Sequence, residues 1–241
     1  MEWTSEALVI GSRPHGETGV ILEVMTDAHG RHLGLVRGGR SRRMQPVLQA
    51  GNVVHVTWKA RLDGHLGQFT AELARARAAA LMESAVGVYG LQVITAHLRY
   101  LAERDPHPGL NAAAGIVLDH LDGPRAAARL LVRFELALLD ELGFGIDLAR
   151  CAATGTTMDL AWVSPKSGRA VCRSAGQPWA DRLLPLPAFL LRADAGEEPS
   201  AADLRAALDL TGHFLERHVA GPRARPLSEG RSRLIAMIRD P

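Results

Sequence analysis

Near residue 79 the hydrophobic period of the chain changes from about two to between three and four, a change that calls for strands first and helices after. Ala7-Leu8-Val9-Ile10 ends at Gly11-Ser12, and Val20 to Met25 runs into Asp27-Ala28-His29-Gly30, a hairpin turn sequence. His32 to Val36 follows. After Gly51-Asn52, Val53 to Trp58 alternates again, and Asp63-Gly64 turns it into Gly67 to Leu73. Strands this short, each needing to bury one face and protect its edges, predict a small closed β-barrel over residues 1–78.

The helical period predicts a helical domain over 79–149. Val88, Leu91, Ile94, Leu98 and Leu101 share one face, and Asp105-Pro106-His107-Pro108-Gly109 stops the run. A second helix is expected over 110–122. A third carries Leu130, Phe134, Leu138 and Leu142, with Gly143 as its left-handed cap. Residues 150–178, rich in Gly, Thr, Ser and Pro, read as an irregular insertion held by packing around Trp162 and Trp179. Over 179–241, Ser200 with Asp203 opens a helix bearing Leu204, Leu208, Leu215 and Val219, and Ser228 caps a last short one; these complete the helical domain. The fold class is therefore α+β and multidomain.

Hydrophobic residues at 47% and charged residues at 22% of 241 allow a real core and argue against disorder. No apolar run reaches the roughly 18 residues of a membrane span, and the N-terminus lacks a secretory layout, so no membrane contact and a cytoplasmic address are expected. Two cysteines, Cys151 and Cys172, are too few for a disulfide framework and fit a reducing compartment.

The net charge of +2 conceals a segregation. Residues 79–149 sum to −4, whereas 1–78 and 150–241 each sum to +3. No acid occurs between Asp27 and Asp63, a window holding Arg31, Arg37, Arg40, Arg42, Arg43, Lys59 and Arg61. If a barrel presents Arg37, Arg40, Arg42 and Arg43 from one loop beside Lys59 and Arg61, the result is a sequence-tolerant phosphate track, with Gly38 and Gly39 letting the backbone approach a phosphate. The competing reading is a solvated loop that only aids solubility. An arginine-rich composition also follows genome base content. Trp58 continues the Val54, Val56 face and reads as core before it reads as a base-stacking platform.

Nothing points to catalysis. The chain lacks a phosphate-binding Gly-x-x-x-x-Gly-Lys-Ser/Thr loop, a Gly-x-Ser-x-Gly elbow and a His-Glu-x-x-His pair, and Gly143-Phe144-Gly145 has no third glycine where a dinucleotide fingerprint needs one. His29 and His32 are read as an exposed turn rather than a metal site.

EALVIGSRPHGETGVILEVMTDAHGRHLGLVRGGRSRR, RFELALLDELGFGIDLARC from Arg133 to Cys151 and PLSEGRSRLI together resemble the bacterial recombination mediator family RecO over essentially the whole length. The resemblance implies an OB-type N-terminal barrel, a helical domain and an insertion that is a four-cysteine zinc module in some members. It implies a protein without enzymatic activity that acts in recombinational repair at the nucleoid. Such a protein binds single- and double-stranded DNA, anneals complementary strands and helps the recombinase replace single-strand-binding protein, with RecR and the acidic tail of that protein as partners. The zinc pattern departs from the family: Cys151-Ala152-Ala153-Thr154 and Cys172-Arg173-Ser174-Ala175 each keep one cysteine of two, so no zinc and no other cofactor is expected. Carried over, DNA contacts fall on Arg37, Arg40, Arg42 and Arg43, with Arg13 and Lys59 beside them and Arg223, Arg225, Arg231 and Arg233 extending the track. The tail contact falls on Arg129 and Arg133, which otherwise only solvate a helix face. The alternative function is an RNA-binding OB protein of translation or RNA processing.

Overall fold

The computed structural model describes residues 1–62, 64–191 and 198–239. Asp63, half of the expected Asp63-Gly64 turn, lies outside them. The described residues form two compact units, Met1–Leu121 and Asp122–Pro241.

In the first unit β1 (Glu2–His15), β2 (Gly19–Thr26), β3 (Gly30–Val36), β4 (Val53–Lys59) and β5 (Gln68–Arg75) close into a barrel in the order β1-β2-β3-β5-β4. This is consistent with the expected OB type. All pairings are antiparallel except β3 with β5, which meet in parallel at Leu35 and Gln68. The interior holds Val9, Val20, Leu22, Val24, Val54, Val56, Trp58 and Phe69. Trp58 is 2% exposed and donates its indole N–H to the Leu66 carbonyl at 3.0 Å, which makes it core.

Ala7 to Ile10 and Val20 to Met25 are not simple alternations, because both faces of these strands are covered. Leu8, Ile10 and Met25 are buried along with the interior residues, and β1 and β2 contact α2 (Ala85–Leu98) and α3 (Pro108–Asp119). Glu23 interrupts the apolar run of β2. It receives Arg31 at 2.7 Å and Arg99, just beyond α2, at 2.8 Å, while Arg99 also donates to the Ile10 carbonyl. The helix expected from 79 onward is broken in two, because the Ser84 hydroxyl accepts from the Gly87 N–H and restarts it after α1 (Ala78–Met82). The helices α1 to α3 thus belong with the barrel, and the compact division falls at 121/122 where the sequence pattern changes at 78/79.

Asn52 joins these layers. Its amide N–H groups donate to the Pro46 and Val47 carbonyls, and its side-chain oxygen accepts from the N–H groups of Arg77 and Ala78, each at 2.9 Å. Asn52→Ala is expected to destabilise this unit by about 1–3 kcal/mol for each buried group left unsatisfied. Urea unfolding reads this directly, and a loss below about 1 kcal/mol would show that the hub is dispensable.

In the second unit, α4 (Pro124–Glu141) ends as the sequence requires. Gly143 takes φ +82°, with its N–H on the Asp140 carbonyl and that of Phe144 on the Leu139 carbonyl. A small sheet, β7-β6-β8, is built from β6 (Leu160–Val163), β7 (Ala170–Cys172) and β8 (Leu184–Pro185), with the short helix α5 (Arg173–Gly176) after β7. The insertion is therefore a folded subdomain. Trp162 packs into it against Gly176, but Trp179 is 55% exposed and lies beneath the Arg182 guanidinium, so only the first tryptophan holds the insertion together. Ser200 and Asp203 form a complete capping box on α6 (Ala201–Leu215), and Ser228 caps α7 (Glu229–Met237). Both α6 and α7 pack on α4. No helix among the described residues is long and apolar enough to cross a membrane.

Candidate nucleic-acid interface

The arginine segment is a folded arm rather than an open loop. Gly38 takes φ +66° at the turn after β3. Gly39 is buried, and a Cβ there would lie 2.8 Å from Val20; its N–H faces the Val36 carbonyl at 3.4 Å. Its lack of a side chain therefore serves packing, not the close phosphate approach the sequence suggested. Leu48, 3% exposed, then seats the arm on the barrel core.

Arg37, Arg40, Arg42 and Arg43 all project from this arm as exposed residues. Arg40 is partly committed to structure: its guanidinium donates to the Glu17 carbonyl at 3.0 Å, tying the arm to the β1–β2 turn. No ion pair engages Arg37, Arg42 or Arg43 among the described residues. Arg37 and Arg43 line a groove of about 410 Å³ together with Lys59, Thr57, Gln68 and Thr70. A second cleft of about 630 Å³, lined by Lys59, Arg61, His65 and Gln68, adjoins the first through Lys59 and Gln68. Lys59 pairs with Glu2 at 2.9 Å, but both are more than half exposed, so the pair contributes little and yields readily to a phosphate. Arg13 is exposed on β1 opposite Ile21. Arg31, though inside the acid-free window, is spent on Glu23 and the Leu101 carbonyl.

The groove also has an uncharged polar lining that the charge pattern of the sequence does not reveal. Thr57 pairs with Thr70 and Lys59 with Gln68 across β4 and β5, all on the outward face. The period of two in these strands carried that signal. His32 corrects another expectation: it is 3% exposed, packed edge-on to Trp58, while His29 stacks on Trp3 at 4.0 Å. Burial lowers the His29 pKa, favouring the neutral ring.

The remaining basic candidates lie in the second unit. Arg223, Arg225 and Arg233 are exposed; Arg223 donates to the Val219 carbonyl and Arg233 pairs with Glu229 at 2.9 Å. Arg231 cannot contact DNA. It is 6% exposed and makes a two-pronged bond to Glu135, itself fully buried, at 2.8 and 2.9 Å. Burial alone would lower the Arg231 pKa, but the Glu135 carboxylate outweighs it and raises it. Arg129 and Arg133 stand one turn apart on the exposed face of α4, opposite buried Leu131, Phe134 and Leu138. They line neither the groove of about 710 Å³ in this unit, which runs past Met158, Leu160 and Trp162, nor a cleft of about 500 Å³ beside His213 and Arg217.

Cys151 and Cys172 are both buried, and the Cys172 N–H donates to Cys151 Sγ at 3.2 Å. The second positions of the two family pairs hold Thr154 and Ala175, and no group of three or more His, Cys, Asp or Glu able to hold a metal ion exists among the described residues. Two thiolates and a hydroxyl do not make a structural zinc site. The residues present therefore do not fit the family's zinc.

Residues 1–77 match the family model described as Recombination protein O N terminal, and residues 83–226 match Recombination protein O C terminal. The chain belongs to the RecO family. The boundary between the two RecO family models coincides with the end of the barrel, whereas the compact units divide after α3. The DNA repair protein RecO of a Chelativorans species is 59% identical over 240 residues, covering 99% of this chain and 96% of that protein. RecO of Methylorubrum extorquens is 56% identical over 98% of each chain. RecO of Brucella abortus is 56% identical over 99% of this chain and 96% of its own. Nothing in these likenesses favours the RNA-binding alternative.

Proposed function

We propose that this RecO-family chain is a DNA-binding mediator of recombinational repair, acting at the nucleoid without a catalytic centre of its own. The observation that carries the reading is the barrel groove in which Arg37, Arg43 and Lys59 converge. Such a groove holds a nucleic-acid backbone by charge, whatever the base sequence, because guanidinium and ammonium groups replace the counterions condensed on the phosphates. Neutralising two strands at once lets complementary strands approach and pair. On this reading the protein anneals single strands and helps the recombinase displace single-strand-binding protein, with RecR as a further partner. Arg129 and Arg133, one turn apart on α4, are assigned to the acidic tail of single-strand-binding protein.

The test is annealing of two complementary strands coated with the cognate single-strand-binding protein, with and without its C-terminal tail. Acceleration that depends on the tail is expected. It should fall at least about tenfold in Arg129→Glu/Arg133→Glu while binding to naked DNA is kept. No acceleration even at low salt would overturn the mediator reading.

A further inference from the structure

The insertion retains two sulfurs in a setting that zinc does not explain. Cys151 precedes an exposed turn, Ala152 to Gly155, whose Gly155 takes φ +75° and whose N–H returns to the Cys151 carbonyl at 2.9 Å. Cys172 ends β7 and follows Ala170, whose carbonyl accepts the Ala152 N–H at 2.8 Å. These backbone bonds hold the turn against the strand, and the Cys172 N–H is aimed at Cys151 Sγ at 3.2 Å. The Thr154 hydroxyl lies 3.6 Å from Cys172 Sγ and also bonds the Cys151 sulfur. One hydroxyl thus touches both sulfurs, and Ser174 adds another at 3.5 Å from Cys172 Sγ.

We propose that Cys151 and Cys172 are a peroxide-responsive dithiol that closes into an intramolecular disulfide, a modification site built where the family's zinc module has lost its ligands. Cys151 is the attacking sulfur. Burial raises its thiol, but hydrogen bonds from the Thr154 hydroxyl and from the N–H groups of Cys172, Thr154 and Ala153 outweigh it and bring the pKa down to about 6, so the thiolate prevails at neutral pH. The thiolate attacks one oxygen of hydrogen peroxide; an S–O bond forms, the O–O bond breaks, and the departing hydroxide takes a proton to become water. Cys172 then attacks the sulfenic sulfur and gives up its proton, forming the S–S bond and expelling the sulfenic oxygen, which takes that proton and leaves as a second water. Two thiols are oxidised by two electrons, and one peroxide is reduced to two waters. The turn from Ala152 to Gly155 that follows Cys151 is exposed, and its local opening admits a molecule as small as peroxide.

The experiment treats the reduced full-length chain with a small excess of hydrogen peroxide, removes the excess with catalase, and labels it in denaturant with N-ethylmaleimide before measuring intact mass. The untreated chain takes up two labels. The treated chain is expected to take up none, to remain a monomer on a non-reducing gel, to yield a linked Cys151–Cys172 peptide, and to recover both labels after dithiothreitol. In Cys172→Ser the reaction stops at the sulfenic acid, which dimedone captures on Cys151. Thr154→Val, which removes the shared hydroxyl, is expected to slow disulfide formation at least about fivefold. Full labelling after peroxide, disulfides only between chains, or both cysteines oxidised separately without a link would overturn the proposal, as would an unchanged rate in Thr154→Val.

Discussion

Replacing Arg37, Arg42 and Arg43 together by glutamine is expected to weaken binding to single-stranded DNA about 100-fold at roughly 0.1 M salt. Each phosphate contact on a single strand contributes about 0.7 to the slope of log affinity against log salt, so losing three lowers the slope by about 2 and the affinity at that salt by about two decades. The fold should be indifferent, because the three residues are exposed and make no ion pair among the described residues, and surface changes of this kind stay within about 0.5 kcal/mol. Arg40 is left in place, since its bond to the Glu17 carbonyl tethers the arm and its loss would mix structure with binding. A salt titration by fluorescence anisotropy measures both quantities. Unchanged affinity and slope in a folded variant would remove the arm from the interface and with it the main support for the mediator reading.

The second large effect is on stability. Arg231→Met is expected to destabilise the second unit by about 3–5 kcal/mol, because it strands a carboxylate in the core. Glu135 sits on α4, Arg231 on α7 and Thr211 on α6; the Thr211 hydroxyl donates to Glu135 Oε2, and Arg231 donates to both carboxylate oxygens. With the cation gone, neutral partners such as the Thr211 hydroxyl cannot compensate a fully buried charge. Such a loss is a large share of the roughly 5–15 kcal/mol that holds an ordinary domain. The double variant Glu135→Leu/Arg231→Met removes both charges and should recover most of it. Amide hydrogen exchange distinguishes the units: protection should fall in α4, α6 and α7 of the single variant while the barrel strands keep theirs. Equal stability of Arg231→Met and the natural chain would contradict the buried network.

Much of this architecture was legible in the sequence for local reasons. A period of two places Val54, Val56 and Trp58 inside the barrel and Thr57 and Lys59 outside it, and the covalent alternation of a strand permits no other division. Caps are also local: Ser200 with Asp203, Gly143 and Ser228 act on backbone groups a few residues away. The acid-free window was readable for the same reason, since charges on one arm stay together wherever the arm goes.

Other features needed partners distant in the chain. The unbroken apolar runs Ala7 to Ile10 and Val20 to Leu22 carried a hint that both faces of β1 and β2 are covered, yet only packing shows that α2 and α3 lie against them. Arg31, Arg37, Arg231 and Arg233 are the same residue type in similar company along the sequence. One is spent on Glu23, one faces the groove, one is buried on Glu135 and one pairs on the surface with Glu229. The sequence alone determined the order of strands before helices, the inward face of β4 and where positive charge collects, because backbone periodicity acts over a few residues. Only the tertiary structure decided which arginines are available to a ligand, because a side chain's charge is available or quenched according to what long-range packing sets beside it.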